Sequence, residues 1–326
     1  MKLKKNIIYL ILSLIVFIFA IPGYCQKHKN EKESKLIIQH VKRLSKSTTW
    51  KLMDTIKLNF RTYHPQGMVK IGKHFYISSV ETIIKPEKFE NFKDGYDRNP
   101  GEGVGHLFKF DHSGNLIAVI NLGEGIIYHP GGIDYDGESI WVPVAEYRPN
   151  SRSIIYCVDP TTLKATKVFR FNDHIGGLVY NTWSNTLIGI SWGARRFYTW
   201  KLNLWNGSVN TGELNEYEIP EFEMKLNGNH YIDYQDCHYI ADKYMLCSGV
   251  NKYNIPNVGD IAFGGFDFVD IELKVAVHQI PINFWIKPDL VISHNPFYFE
   301  IFENHLRFYF IPEDDESNLY IIDAIN

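Results

Sequence analysis

The tetrapeptides His64-Pro-Gln-Gly67 and His129-Pro-Gly-Gly132 open two segments that follow the same plan. Each tetrapeptide leads into a short β-type run, and a second run then ends on a glutamate, Glu81 or Glu146, 17 positions after the histidine. A third run that ends in aspartate, a turn and a fourth run complete each segment. Repeated units of four strands are typical of β-propeller blades.

Weaker copies of this unit begin at His174-Ile-Gly-Gly177, near Tyr234-Gln-Asp236 and at His294-Asn-Pro296. The strands predicted for the third unit are 178–180, 186–191, 197–202 and 217–219. Those of the fourth are a run near 238, 244–247, 263–271 and 275–280. Those of the fifth are 298–302, 306–311 and 319–322. The last unit lacks one strand, which the β-type run 50–60 can supply. We therefore predict an all-β, five-bladed β-propeller whose ring is closed by an N-terminal strand. Six blades stay open, because residues 205–231 have room for further strands.

The first 25 residues have the three parts of a secretory signal: lysines at positions 2, 4 and 5, an apolar stretch over 7–21, and small residues before Gln26. That stretch is shorter than the roughly 20 residues that span a bilayer. We expect it to be cleaved, which leaves a secreted or periplasmic protein with no stable membrane span. Lipoprotein anchoring through Cys25 is a minor alternative.

Residues 26–48 are rich in Lys, Glu, Ser and Asn, and we interpret them as a polar spacer before a single propeller domain over 49–326. The formal net charge of −3 gives no reason to expect nucleic-acid binding. A hairpin that turns at Asp242 would set Cys237 opposite Cys247. A disulfide, which suits an exported protein, and two buried free thiols both remain open.

The geometry of a propeller blade predicts where the repeated residues lie. The entry to each innermost strand and the connection from the second to the third strand lie on the same face, around the mouth of the central channel. The residues placed there fall into three predicted groups: metal ligands His64, His129, His174 and His294; catalytic acids or bases Glu81, Glu146 and Asp236; and ligand-binding residues Trp192, Arg195, Asn295 and Glu313.

Two kinds of function fit these residue types. Imidazoles and carboxylates hold divalent metal ions, so one hypothesis is a metal-assisted hydrolase of a small polar substrate, and paired glutamates could do the same chemistry without a metal. The alternative is a non-catalytic propeller that binds a glycan or another small ligand. A purely structural interpretation also stands, in which the histidines cap turns, the glycines permit close packing at the axis and the glutamates are solvated.

Several motifs carry a resemblance to a known family. They are Tyr63-His-Pro-Gln-Gly67, Gly105-His-Leu-Phe108, Tyr128-His-Pro-Gly-Gly-Ile-Asp134, Trp141-Val-Pro-Val-Ala-Glu-Tyr147, Ser191-Trp-Gly193 and Tyr234-Gln-Asp-Cys-His238. From Tyr63 onward the chain resembles a family of uncharacterised propeller-like proteins, and more remotely it is similar to propeller lactonases and hydrolases. The resemblance implies the fold, and it supplies no catalytic motif.

Overall fold

The computed structural model describes residues 31–202, 204–205, 208–209 and 219–325. The predicted signal peptide and Cys25 lie outside this part of the chain, so cleavage and acylation stay predictions. Among the described residues, no helix combines the length and the apolar character needed to cross a membrane.

Five antiparallel sheets form the ring of a β-propeller, and the chain runs from the innermost to the outermost strand in each blade. Helix α1 (Glu31–Arg43) and strand β1 (Thr49–Lys57) precede the first complete blade. That blade comprises β2 (His64–Ile71), β3 (His74–Ile84), the inserted hairpin β4 (Lys88–Lys93) and β5 (Tyr96–Arg98), β6 (Glu102–Asp111) and β7 (Leu116–Leu122).

In the second blade the innermost strand is broken in two. Its strands are β8 (Ile127–Pro130), β9 (Asp134–Tyr135), β10 (Ile140–Glu146), β11 (Ser153–Val158) and β12 (Ala165–Phe171). The third blade comprises β13 (Ile175–Asn181), β14 (Thr186–Ser191), β15 (Arg196–Lys201), the small hairpin β16 (Leu204–Trp205) and β17 (Ser208–Val209), and β18 (Phe222–Leu226). A 3₁₀ turn at Trp192–Ala194 joins β14 to β15.

The fourth and fifth blades complete the ring. The fourth contains β19 (Asp233–Ala241), β20 (Tyr244–Ile255), β21 (Gly259–Asp270) and β22 (Val275–Pro281), and the short hairpin β23 (Trp285–Lys287) and β24 (Leu290–Val291) follows it. The fifth contains β25 (Phe297–Phe302), β26 (His305–Phe310) and β27 (Asn318–Ile325). Strand β1 pairs with β27, with Trp50 opposite Ala324, and so supplies the outermost strand.

The predicted five blades and the N-terminal closure are confirmed, because the ring closes with five sheets. One strand prediction was wrong. The outermost strand of the third blade is Phe222–Leu226 rather than 217–219, and residues 217–218 lie outside the described residues. The alternating run Phe222 to Leu226 pairs with β15, so it was the better strand signal.

The prediction of a polar spacer over 26–48 was also wrong for residues 31–43, which form α1. Ile37, Val41 and Leu44 recur at helical spacing and are buried in a core cluster together with Trp50 and Phe308. Burial of this apolar stripe fixes the helix against the fourth and fifth blades. The folded unit therefore begins before residue 49.

The glycines of the repeated motif pack the blades at the axis. A Cβ atom on Gly67 would collide with the backbone of Gly132 and Ile133 in the next blade, and one on Gly131 would collide with the carbonyl of Gly176. Gly132 N–H in turn donates to Gly176 O at 2.9 Å. The glycine half of the motif is therefore a close-packing device.

Cys237 and Cys247 are directly opposed on β19 and β20 and form a disulfide. Of the two interpretations left open by the sequence, the structure has the disulfide. Both cysteines are buried in a hydrophobic core cluster with Val179 and Met245.

Candidate functional site at the channel mouth

The structure brings the four repeat histidines to one end of the channel. The ring centroids of His129 and His174 lie 5.8 Å apart, and His64 lies close enough to both His129 and His294 to lower their pKa values. In the described part of the chain, no three His, Cys, Asp or Glu side chains are placed to hold one metal ion. The metal-ligand role of the four histidines therefore stays a prediction.

Three of these imidazoles are held in the neutral form. Burial lowers the pKa of His129 well below its ordinary value, and the neighbouring His174 and His64 lower it further. Burial likewise lowers the pKa of His174 to about 4 and that of His294 to about 4. Neutral imidazoles carry a lone pair on one nitrogen, so the mouth has nitrogen acceptors at neutral pH.

The carboxylate that reaches the mouth from the fifth blade is Asp314, one residue after the predicted Glu313. Its Oδ1 accepts hydrogen bonds from His64 Nδ1 at 2.8 Å and from Asn295 Nδ2 at 3.0 Å. Burial raises the pKa of Asp314, but the bonds from His64 and Asn295 outweigh it, and the pKa lies below its ordinary value. Glu313 instead turns to the outer strands, where it contacts Asn318.

The backbone on either side of this pair is strained. Tyr63 has φ 56° and Asp315 has φ 59°, the left-handed region that bulky residues rarely adopt. The two residues hold one another, because Asp315 N–H donates to Tyr63 O at 2.5 Å. Strain of this kind persists where the surrounding structure fixes it, often at functional sites. Here it aims His64 and Asp314 at the same point.

Neither predicted catalytic glutamate is free to act as an acid or base. Glu146 is fully buried, with Arg148 and Arg152 on its two oxygens at 2.5 and 2.7 Å. Glu81 accepts a hydrogen bond from His106 Nε2 at 3.1 Å, and the other ring nitrogen of His106 contacts Asn121. Each carboxylate is therefore already occupied within its own network.

Asp236 also has a structural role, because it joins neighbouring blades rather than lining the mouth. It is buried, and its two oxygens accept backbone N–H groups of Met68 at 2.9 Å and Ile133 at 3.2 Å, in the first and second blades. His238 lies between Asp236 and Asp134, at 3.5 and 3.4 Å, and its Nε2 contacts Phe297 O in the fifth blade. Asp134 in turn accepts Tyr180 N–H in the third. This axial cluster (Asp134, Asp236, His238) thus joins all five blades.

Of the predicted ligand-binding residues, Trp192 lies among the histidines of the mouth, and Arg195 is already paired. The Trp192 ring packs edge-on against His174 at 4.7 Å and lies 6.0 Å from Tyr147. Arg195 pairs with Asp233 in the fourth blade. Asn295 is fully buried beside Asp314, and its Oδ1 has no hydrogen-bond partner.

The inserted hairpin β4–β5 roofs part of the mouth. The Arg148 guanidinium stacks on the Tyr96 ring at 3.4 Å, and Arg98 lies 5.2 Å over Trp192. The Tyr128 hydroxyl donates to Pro100 O at 2.7 Å and fixes the return strand. The hairpin therefore reaches from the first blade across the second to the third.

Sequence reasoning missed four residues of this site: Asp314, Tyr147, His106 and Arg98. Tyr147 directly follows Glu146, and its ring lies 4.1 Å from that of His129. The 17-residue spacing pointed to the buried Glu146, whereas the partly exposed residue at the strand end is the next one, Tyr147. His106 and Tyr147 stood in the quoted family motifs, which was the only signal for them.

Comparisons with known proteins assign the chain to a family and give no activity for it. A luciferin-regenerating enzyme is one solved structure that this chain resembles, with a TM-score of 0.41 and 10% sequence identity over 84% of this chain and 97% of that chain. No curated protein matches. The model of a protein family of unknown function, DUF6454, matches residues 29–326. The chain therefore belongs to the DUF6454 family, whose function is unknown.

Proposed function

We propose that the channel mouth is an active site in which His64 acts as a general base on a small polar molecule. The observation that carries the proposal is the chain of hydrogen bonds from Asn295 through Asp314 to His64 Nδ1, at 3.0 and 2.8 Å. Asp314 is half exposed. A carboxylate that accepts the Nδ1 proton fixes the tautomer of an imidazole and stabilises the imidazolium that forms during reaction.

The direction of proton transfer follows from that tautomer. With Nδ1–H directed at Asp314, the lone pair of His64 lies on Nε2, which can accept a proton from water or from a substrate hydroxyl. The His64 side chain is 28% exposed, so a bound molecule can reach it. Hydrolysis by an activated water is the simplest reaction of this kind, and it requires only side chains that the mouth contains.

Export remains part of the proposal. The leader pattern of residues 1–25 supports it, and so does the disulfide between Cys237 and Cys247, since structural disulfides persist in oxidising compartments. We therefore propose that the protein acts outside the cytoplasm.

Non-catalytic ligand binding at the same mouth is the second candidate. Three buried polar atoms there lack any partner: His129 Nδ1, His294 Nδ1 and Asn295 Oδ1. Unpaired buried polar atoms are costly, and a bound molecule or water would satisfy them. This feature supports a ligand whether or not the ligand is turned over.

A screen against aryl esters, lactones and aryl glycosides, with His64→Gln and Asp314→Asn variants, separates the two candidates. We expect both substitutions to lower kcat/KM by roughly 10²–10⁴-fold on any substrate that the protein turns over. His112→Gln, in an exposed turn of the first blade, is the matched control and should have no effect. Full activity in His64→Gln would refute the general base, and binding without turnover across the screen would favour the second candidate.

A further inference from the structure

We propose that the molecule bound at the mouth is an uncharged, hydroxyl-rich compound, a sugar or polyol, because the fixed polar atoms there are hydrogen-bond acceptors. The inference rests on the proposed site, and it names the class of ligand. It follows from the tautomer of His174, from the Asn295 amide, and from the charges around them.

His174 presents an acceptor. Its Nδ1 lies 2.8 Å from the carbonyl oxygen of Glu146, which can only accept, so the ring donates through Nδ1. The lone pair of the neutral ring is therefore on Nε2. That nitrogen lies beside Gly176, on the innermost strand of the third blade, where a Cβ would meet it at 3.5 Å. His174 thus offers an acceptor along the channel wall.

Asn295 adds a second acceptor, and His294 adds a ring nitrogen that is free to bind a ligand. Asn295 uses its amide NH₂ on Pro312 O and Asp314, which leaves Oδ1 as a buried acceptor without a partner among the described residues. Nδ1 of His294 is likewise buried and without a partner there. A molecule that fills the mouth must donate to Asn295 Oδ1, and a hydroxyl group can either donate to His294 Nδ1 or accept from it.

The charged groups around the mouth narrow the class of ligand. An anion would face the Asp314 carboxylate and the lone pair of His174. Arg148 and Arg98 are already paired, with Glu146 and Asp97. Lys252, which also acts on His294, lies on the exposed end of β20, where solvent screens its charge.

A cation would be attracted by the Asp314 carboxylate, but it would lose its hydration on entering a mouth lined by buried side chains such as His129, His174 and Asn295. Uncharged hydroxyl groups donate hydrogen bonds without that cost.

The aromatic walls suit a sugar ring. Tyr147 and Trp192 lie 6.0 Å apart by centroid, beside His129 and His174. Aromatic faces pack against the apolar C–H face of a sugar, while the acceptors take its hydroxyl protons. The mouth therefore offers a complementary surface both to the C–H face of a sugar and to its hydroxyl groups.

The test compares matched probes on the whole protein. Glucose, galactose and mannose are titrated beside the corresponding 2-amino sugars and uronates, by calorimetry and by NMR of the histidine ring nitrogens. We expect at least one neutral hexose to bind at least 10-fold more tightly than its cationic and anionic partners, and to shift the His174 and His294 signals.

Two variants remove polar side-chain atoms of the mouth. Asn295→Leu and His294→Phe, which keeps an aromatic ring at that position, should each weaken sugar binding about 10-fold or more, and His112→Gln should not.

Tighter binding of an amino sugar or a uronate, or a response of the histidine signals to Zn²⁺ and not to any sugar, would overturn the inference. Turnover that depends on His64 without binding of any neutral sugar would refute the ligand class and leave the proposed function standing. Sugar binding at the mouth without turnover would refute the general base and support the ligand class. Neither binding nor turnover would overturn both.

Discussion

Replacing Asp236 by leucine, which has nearly the same shape, should destabilise the whole ring. The substitution removes the acceptor for three buried backbone N–H groups, those of Met68, Ile133 and Cys237. Each buried donor left unpaired costs about 1–3 kcal/mol, so we expect a loss of about 3–9 kcal/mol in the free energy of unfolding. That is a large share of the roughly 5–15 kcal/mol that stabilises a typical domain.

Urea denaturation followed by far-UV circular dichroism measures this loss. Asp236→Asn keeps one oxygen acceptor and should lose less than Asp236→Leu. Asp260→Leu, on the exposed part of β21, is the control and should stay within about 0.5 kcal/mol of the parent protein. A loss below about 1 kcal/mol in Asp236→Leu, combined with loss of activity or binding, would refute the axial role and restore the predicted catalytic one.

Three further predictions concern stability. Asp236 and Asp134 raise the pKa of His238 to about 10 against the effect of burial, so the folded protein keeps a proton that the unfolded chain loses near pH 6.5. The free energy of unfolding should therefore fall by up to about 1.4 kcal/mol per pH unit between those values, and His238→Gln should flatten the slope in denaturant titrations. Ile37→Ala should cost about 2–5 kcal/mol in urea unfolding because the side chain is buried under α1, whereas the more exposed Leu36→Ala should change little. Replacing both Cys237 and Cys247 by serine should cost about 2–3 kcal/mol, seen as a lower urea midpoint that a reductant no longer shifts.

The five-bladed fold was predictable because the sequence patterns that indicate it are local and repeated. Alternating apolar runs, turn residues and the recurring His-to-Gly tetrapeptides set the strands and the number of blades. The missing strand in the last unit then required closure by residues near Trp50, which pair with β27. The stretch near Leu36 to Leu44 is amphipathic, but only four of the 13 residues of α1 are apolar, so we interpreted the segment as part of a spacer.

The site was only partly predictable, because a repeat gives positions along strands and not the direction of each side chain. Topology alone placed the four histidines together at the mouth. A shift of one residue along the chain changes which side chain points towards the mouth. Glu313 was therefore predicted at the place that Asp314 occupies. The arginines that pair with Glu146 lie two and six residues later in the same loop, and the backbone partners of Asp236 come from other blades. The strand pattern of the sequence indicates neither.

The most direct test of the proposed active site is long-range ¹H–¹⁵N NMR of the histidine side chains at pH 7. We predict that His174 is a neutral imidazole with its proton on Nδ1. We also predict that the Nδ1 proton of His64 is hydrogen-bonded to Asp314, so that Asp314→Asn shifts the His64 signals markedly. A protonated His174 imidazolium, or His64 signals that do not respond to Asp314→Asn, would contradict the proposed active site.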